Sequence, residues 1–204
     1  MEKFLALPQE RQDSIVAAAM GVFGAVGYKK AYVSEIALAA GISKALIFHY
    51  FGNKKALYRY LIEYTGKIMV ATMQEKGDTE NTDFFDRITE IAKLKLSIMS
   101  RYPAMTGFIA SIYYESDPAV APEIKELLSK GESVRSQIVL SGMDESKFKD
   151  GVDPKLVVNL IVKFTEGVMG SRLDNTLSID EIMIEFNGCV KMLKKYLYKK
   201  KFLK

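Results

Sequence analysis

Apolar residues recur every three or four positions along most of the chain, and almost nowhere do they alternate with polar ones. That spacing predicts helices throughout and no sustained strand or hairpin. A first helix starts near Pro8 or Gln9, carries Ile15, Ala19, Val22, Phe23 and Val26 on one face, and stops at Gly27. "VSEIALAA", opening at Val33 or Ser34, gives a short second helix with Ile36, Ala37 and Ala40 as its packing face. Gly41 turns the chain, and Ser43 caps a third short helix, "KALIFHYF". Gly52-Asn53 breaks it again, with Asn53 capping a fourth helix that runs to about Gln74. Further helices follow at about 83–101, 103–115 and 120–141, separated by Tyr102-Pro103 and "SDPAVAPE". Pro154 sits in the first turn of the next, whose stripe is Leu156, Val157, Leu160, Ile161, Phe164 and Val168. In the last helix Ile179, Ile182, Met183, Phe186, Val190, Leu193 and Leu197 step by threes and fours, the spacing of a helix–helix seam. Asp174 to Ser178 joins this pair tightly, which predicts antiparallel neighbours. The fold class is all-α.

Two short helices around a glycine turn form a helix-turn-helix, whose second helix enters the major groove of DNA. That helix covers residues 44–50 here. Its period turns Leu46 or Ile47 and Phe48 toward the core, with Phe51, and leaves Lys44, Ala45, His49 and Tyr50 outward. Leu46 stays open between burial and contact with a thymine methyl. His49 is the only histidine, so no imidazole pair can hold a metal, and a hydrogen bond to a base edge or phosphate is the role its position offers.

Charge placement sharpens this picture. Residues 1–60 carry eight Lys/Arg against four acids, and 191–204 carry seven lysines and no acid. The middle, 61–190, has 14 basic and 21 acidic residues, so a polyanion should meet the head and be repelled by the middle. The basic tail competes for that contact, although lysines at a helix end also complement its dipole. No apolar run approaches the ~20 residues that span a bilayer, and "MEKFLALPQERQ" lacks a signal-peptide pattern. One cysteine, Cys189, excludes an intrachain disulfide. A cytoplasmic protein without membrane contact is expected. No Ser/His/Asp set, glycine-rich phosphate loop or Cys/His metal spacing is present, so neither an enzyme nor a cofactor is expected.

Residues 15–57, "IVAAAMGVFGAVGYKKAYVSEIALAAGISKALIFHYFGNKKAL", resemble the DNA-binding domain of tetracycline-repressor (TetR) family regulators. The matching positions are Ile15, Ala19, Phe23, Gly27-Tyr28, Ile36-Ala37, Ala40-Gly41, Ser43-Lys44, the aromatic cluster ending in Phe51, and Lys54 with Leu57. The chain departs from the family at Phe48, where Tyr is common, at Leu46, where small or hydroxyl residues are common, and at Ala31-Tyr32, where Thr or Ser is frequent. The resemblance implies an N-terminal three-helix DNA-binding domain, 1–52, and a C-terminal helical domain, 53–204, for ligand binding and dimerisation. It implies that Lys44, Ala45 and His49 approach base edges and that Tyr50 and Lys54 hold phosphates, with Tyr32, Ser34 and Ser43 as further phosphate candidates. Lys29 and Lys30 are either a solvated turn or further phosphate contacts.

The same resemblance implies a small-molecule effector inside the helical body. Phe84, Ile88, Met99, Met105, Phe108, Ile109, Ile112, Tyr113 and Met169, with Phe85 and Ile91, are either pocket walls or plain core. Leu160, Phe164, Ile182, Phe186 and Val190 are the expected dimer seam. The function expected is a ligand-responsive regulator, a repressor that binds a palindromic operator on double-stranded DNA as a homodimer and is released by a largely apolar effector. The alternatives are a sequence-nonspecific architectural DNA-binding protein and an enzyme with an appended DNA-binding head.

Overall fold

The structure, a computed structural model, describes residues 1–76, 81–173 and 178–203, the side chains of 73–76, 169–173 and 179 excepted. The helices are α1 (Glu2–Leu5), α2 (Gln9–Lys30), α3 (Val33–Ala39), α4 (Lys44–Phe51), α5 (Lys54–Lys76), α6 (Phe84–Arg101), α7 (Pro103–Tyr114), α8 (Ala121–Leu140), α9 (Pro154–Leu173) and α10 (Ile179–Leu197). Among the described residues the β-structure is one isolated antiparallel bridge, Phe148 with Tyr198. The all-helical expectation holds. The expected Asp174–Ser178 turn and Met169 side chain lie outside the described residues. So does most of the "KGDTENTD" linker.

The chain packs as two compact units. One comprises Met1–Met69 and Ile98–Lys130, the other Val70–Ser97 and Gly131–Lys204. In the first, Ile15, Ala19 and Phe23 of α2, Ile36 of α3, Ile47 of α4, Leu57, Tyr58 and Leu61 of α5 and Phe108 of α7 are fully buried. The sequence pattern missed α1. Its Phe4 is fully buried against Phe51 and Tyr60, with ring centroids 4.8 and 5.3 Å away, and so fastens the N-terminus to the end of α4 and the second turn of α5. α7 lies close along α2: a Cβ added to Gly24 would come within 2.9 Å of the Gly107 and Phe108 backbone. A side chain there would hold the two helices apart.

The second unit is built around an aromatic cluster of Phe84, Phe85, Phe148 and Tyr198, with centroids 5.0 to 6.0 Å apart. Beside it Asp83 gathers cations. Lys147 Nζ donates to its Oδ2 at 3.0 Å, and Lys194 Nζ donates to its Oδ1 at 3.1 Å. Burial favours the neutral carboxyl, but these hydrogen bonds prevail and hold Asp83 below its ordinary range. α10 opens on a capping box, with Ser178 Oγ accepting from Glu181 N and Glu181 Oε2 accepting from Ser178 N.

Candidate nucleic-acid interface

The turn between α3 and α4 is fixed by local chemistry. Gly41 adopts φ +61°, a left-handed conformation that suits glycine, and closes α3. Its N–H bonds the Leu38 carbonyl at 3.1 Å, and the Ile42 N–H bonds the Ala37 carbonyl at 3.0 Å, a Schellman pair. Arg11 of α2 donates to the Gly41 carbonyl at 3.1 Å and so ties the turn to the first helix. Ser43 Oγ then accepts from Leu46 N at 3.2 Å and starts α4. That capping bond occupies the hydroxyl oxygen, while its proton remains available to a phosphate.

α4 buries Ile47 and Phe51, one turn apart. Lys44, Ala45, Leu46, Phe48 and His49 are exposed, and Tyr50 is half-buried, with its ring 6.1 Å from that of Phe4. Lys44, Ala45 and His49 therefore face outward as expected. The expectation for Phe48 is corrected. The residue is 37% exposed, because a helix of eight residues resting on a two-residue stripe has no inward position left for it. Lys44 Nζ sits 5.7 Å from the centre of the Phe48 ring. Leu46, open in the sequence, is also exposed.

Ser34 and Tyr32 flank this helix in sequence at the start of α3, both exposed. Tyr32 is the N-cap residue, and its N–H reaches Glu35 Oε2 at 3.4 Å. At the start of α5, Asn53 Oδ1 accepts from Ala56 N at 2.8 Å, as the sequence implied. Lys54 is half-buried: its ammonium lies 4.6 Å over the Tyr28 ring and donates to the Lys29 carbonyl at 3.3 Å. Burial lowers its pKa despite Asp117 and Glu115 nearby, so a bound phosphate would strengthen its charge. Lys55 is paired instead with Glu123 at 2.9 Å. Lys29 and Lys30 are exposed.

The remaining candidates separate into the two cores. Phe84 and Ile88 are buried in the second unit, Phe84 within its aromatic cluster. Met105, Phe108 and Ile112 are buried in the first, with Phe108 5.3 Å from the Tyr58 ring. Met99 and Ile109 are half-buried, and Tyr113 is exposed at its edge. Of the expected seam, Ile182, Phe186 and Val190 are buried in their own chain and Phe164 is half-buried, while Leu160 is 52% exposed. Phe186 and Val190 belong to a core made with α6 and α9, so the apolar period of α10 reports packing within the chain at these two positions. Leu156, Ile184, Met192 and Tyr196 are exposed instead. Among the described residues no helix is long and apolar enough to cross a membrane.

Comparison with known proteins places these features in a family. Residues 15–61 match the model of the bacterial regulatory proteins of the tetR family. The chain is 24% identical over 156 residues to the HTH-type transcriptional regulator RutR of Escherichia coli strain K12, covering 76% of this chain and 72% of that one. It is 25% identical over 153 residues to the fatty acid metabolism regulator protein of Bacillus subtilis strain 168, covering 72% and 75%. The structure of the transcriptional regulator FadR from Bacillus subtilis in complex with stearoyl-CoA superimposes with a TM-score of 0.73 at 19% identity, over 91% of this chain and 98% of that one. The matched span holds α3, the Gly41 turn and α4 with its outward Lys44 and His49, and this N-terminal DNA-binding segment is that of the tetR family of bacterial regulatory proteins.

Proposed function

We propose that the protein is a ligand-responsive repressor that binds a palindromic operator as a homodimer and leaves it when a small, largely apolar effector enters the helical body. The observation that carries this reading is the free outer face of α4, where Lys44, Ala45, Leu46, Phe48 and His49 are all exposed on a helix braced from behind by Ile47 and Phe51. Lys44, Ala45 and His49 approach base edges. Tyr50, Lys54, Tyr32, Ser34 and Ser43 position the protein on phosphates, as the N–H groups opening α5 also can. The division by role falls at 52/53, with residues 1–52 reading DNA and 53–204 sensing and dimerising.

Two-fold symmetry sets two copies of α4 about 34–36 Å apart, or a multiple of that. We place the seam on the exposed apolar residues of the last two helices, Leu156 and Leu160 of α9 with Ile184, Met192 and Tyr196 of α10. They extend the expected pairing of these helices into a four-helix bundle, with Leu160 kept from the original set. An apolar effector is supported by the stearoyl-CoA held by the Bacillus subtilis relative of this fold. To act, it must prefer one arrangement of the two reading heads; equal affinity for both shifts nothing. A DNA-binding role puts the protein in the cytoplasm.

Selection of bound sites from random duplex DNA tests the reading. A two-fold symmetric consensus is expected. Retention of DNA without any enriched sequence would instead indicate the architectural alternative.

A further inference from the structure

We propose that Glu115 is a positioning residue for DNA binding: by holding the backbone of Tyr28 it keeps Lys54 where the ammonium meets a phosphate. The inference deepens the proposed function, since it rests on the phosphate role given there to Lys54.

Lys54 and Lys55 open α5 side by side, and the structure uses them differently. Lys55 Nζ is neutralised by Glu123 Oε1 at 2.9 Å. Lys54 Nζ is held by groups without net charge, the Lys29 carbonyl at 3.3 Å and the Tyr28 ring, whose centre is 4.6 Å away. Among the described residues no carboxylate lies within ion-pair distance of Lys54. Asp117 and Glu115 are the acids whose charge reaches it, and both are engaged on backbone amides instead. Glu115 Oε2 accepts from Tyr28 N at 2.6 Å and its Oε1 from Asp117 N at 2.8 Å, while Asp117 Oδ1 accepts from Ala119 N at 2.9 Å. The charge of Lys54 is thus aimed without being cancelled, and an outside anion can use it.

The aim depends on residues 27–31. Gly27 leaves helical geometry at φ +73°, and the Ala31 N–H returns to the Gly27 carbonyl at 3.3 Å, so Tyr28, Lys29 and Lys30 form a turn of their own. That turn supplies both groups that hold Lys54. Two contacts fix it in place. The Tyr28 ring packs against the rings of the buried Tyr58 and Phe23, with centroids 5.0 and 6.2 Å away. The Tyr28 N–H is pinned by Glu115, next to the glycine where the backbone is freest to move. A bond from an amide to a carboxylate is about twice as strong as one between neutral groups. Truncating Glu115 therefore releases the turn; Lys54 keeps its charge and loses its placement.

The sign of the effect separates positioning from bulk electrostatics. Removing an acid ordinarily strengthens attraction to a polyanion. Positioning demands the reverse for Glu115→Ala. It demands no loss for Glu115→Gln, which discards the charge and keeps an oxygen for the Tyr28 N–H.

The test measures binding of the full-length protein to a mixed-sequence duplex by fluorescence anisotropy across a salt series, at a temperature where each variant is folded by circular dichroism. Glu115→Ala should bind about threefold or more weakly and lower the salt slope as far as Lys54→Ala does. In a Lys54→Ala background the same substitution should change affinity less than about twofold, because the contact is already gone. Glu115→Gln should bind at least as tightly as the wild type. Glu115→Asp keeps the charge and shortens the reach, so it should weaken binding in the same direction, and it replaces Glu115→Ala if that variant is too unstable to assay. Unchanged or tighter binding by these shortened variants, an undiminished salt slope, equal loss with and without Lys54, or a Glu115→Gln variant as weak as they are overturns the positioning role. Site selection with the same proteins keeps the two readings apart. A symmetric consensus without any effect of Glu115 removes only this inference, an effect of Glu115 without a consensus removes only the repressor, and a wild type that binds no duplex removes both.

Discussion

The backbone N–H of Tyr28 donates to Glu115 Oε2 at 2.6 Å, joining the end of α2 to the end of α7 across 87 residues of sequence. The other oxygen of the same carboxylate accepts from Asp117 N at 2.8 Å. Gly27 makes the contact possible. Its φ of +73° bends the backbone out of the helix, and a Cβ there would stand 3.1 Å from Glu115 Oε2. With Gly24 resting on Gly107, this joint sets how the three-helix head is carried on α7.

Removing that carboxylate should therefore loosen the head. Glu115→Ala leaves the Tyr28 amide without its charged acceptor, a loss of roughly 1–3 kcal/mol. Gly24→Ala forces α7 away from α2 and should cost about as much. Denaturant titration reads both. Midpoints equal to wild type would mean that the joint carries no stability.

On DNA, the two classes of contact should separate by their salt behaviour. Lys54→Ala should weaken binding to every sequence and reduce the salt slope by about 1, whereas Lys44→Ala or His49→Ala should change which sequence is preferred. Phe48→Ala belongs with the second pair. Phe48 is exposed, so the substitution should leave the melting temperature within about 2 °C while altering affinity for the selected site. Uniform loss on all sequences for all four variants would contradict the assigned roles.

Much of the head was legible because its signals are local. Ser43, Gly41 and Asn53 each act within a few residues, and all three occupy the cap or turn position that their chemistry suggests. Phe48 was misread because periodicity says which residues share a face, not how wide the buried stripe is. Phe186 and Val190 failed for a related reason. A seam against the chain's own helices and one against a second copy have the same spacing. The Arg11–Gly41 and Tyr28–Glu115 bonds span 30 and 87 residues, and no local pattern announces them.

The seam can be tested without unfolding the chain. Leu160→Glu combined with Ile184→Glu places charge on side chains that are 52% and 71% exposed, so folding should survive while dimerisation is lost. Phe186→Glu instead buries a carboxylate in the second core and should unfold that unit. Sedimentation across a concentration series distinguishes these outcomes. A double variant that still forms dimers would place the interface elsewhere.

Asp83 predicts an acid limb. Its carboxyl is held below the ordinary 3.8, so the stability it provides is complete above that value and is lost as pH falls through the lower, folded one. Asp83→Asn should be less stable than wild type at pH 7, since it leaves Lys147 short of its acid and weakens the hold on Lys194. The difference should shrink once the wild-type carboxyl is protonated. A gap that stays constant into strong acid would show that the loss comes from packing alone.

Lys95 predicts the opposite limb. Its folded pKa of about 8 lies below the ordinary 10.5, so between these values the unfolded chain holds a proton that the folded chain has released. Stability from this group therefore rises with pH across that window, by as much as about 1.4 kcal/mol per pH unit. Above pH 10 the buried Tyr58 and Tyr198, whose pKa values are raised by burial, act in the reverse sense, which limits the clean range to about pH 8–10. Comparison with Lys95→Met cancels the tyrosines. The variant should be more stable than wild type at pH 7, and the gap should close toward pH 10. Because the charge of Arg135 lowers the Lys95 pKa further and that of Glu166 raises it, the same comparison in an Arg135→Met background should start from a smaller gap. Parallel stability curves for wild type and Lys95→Met would mean that the ammonium is as well solvated in the folded chain as in the unfolded one, and the case for an interior cation would fail.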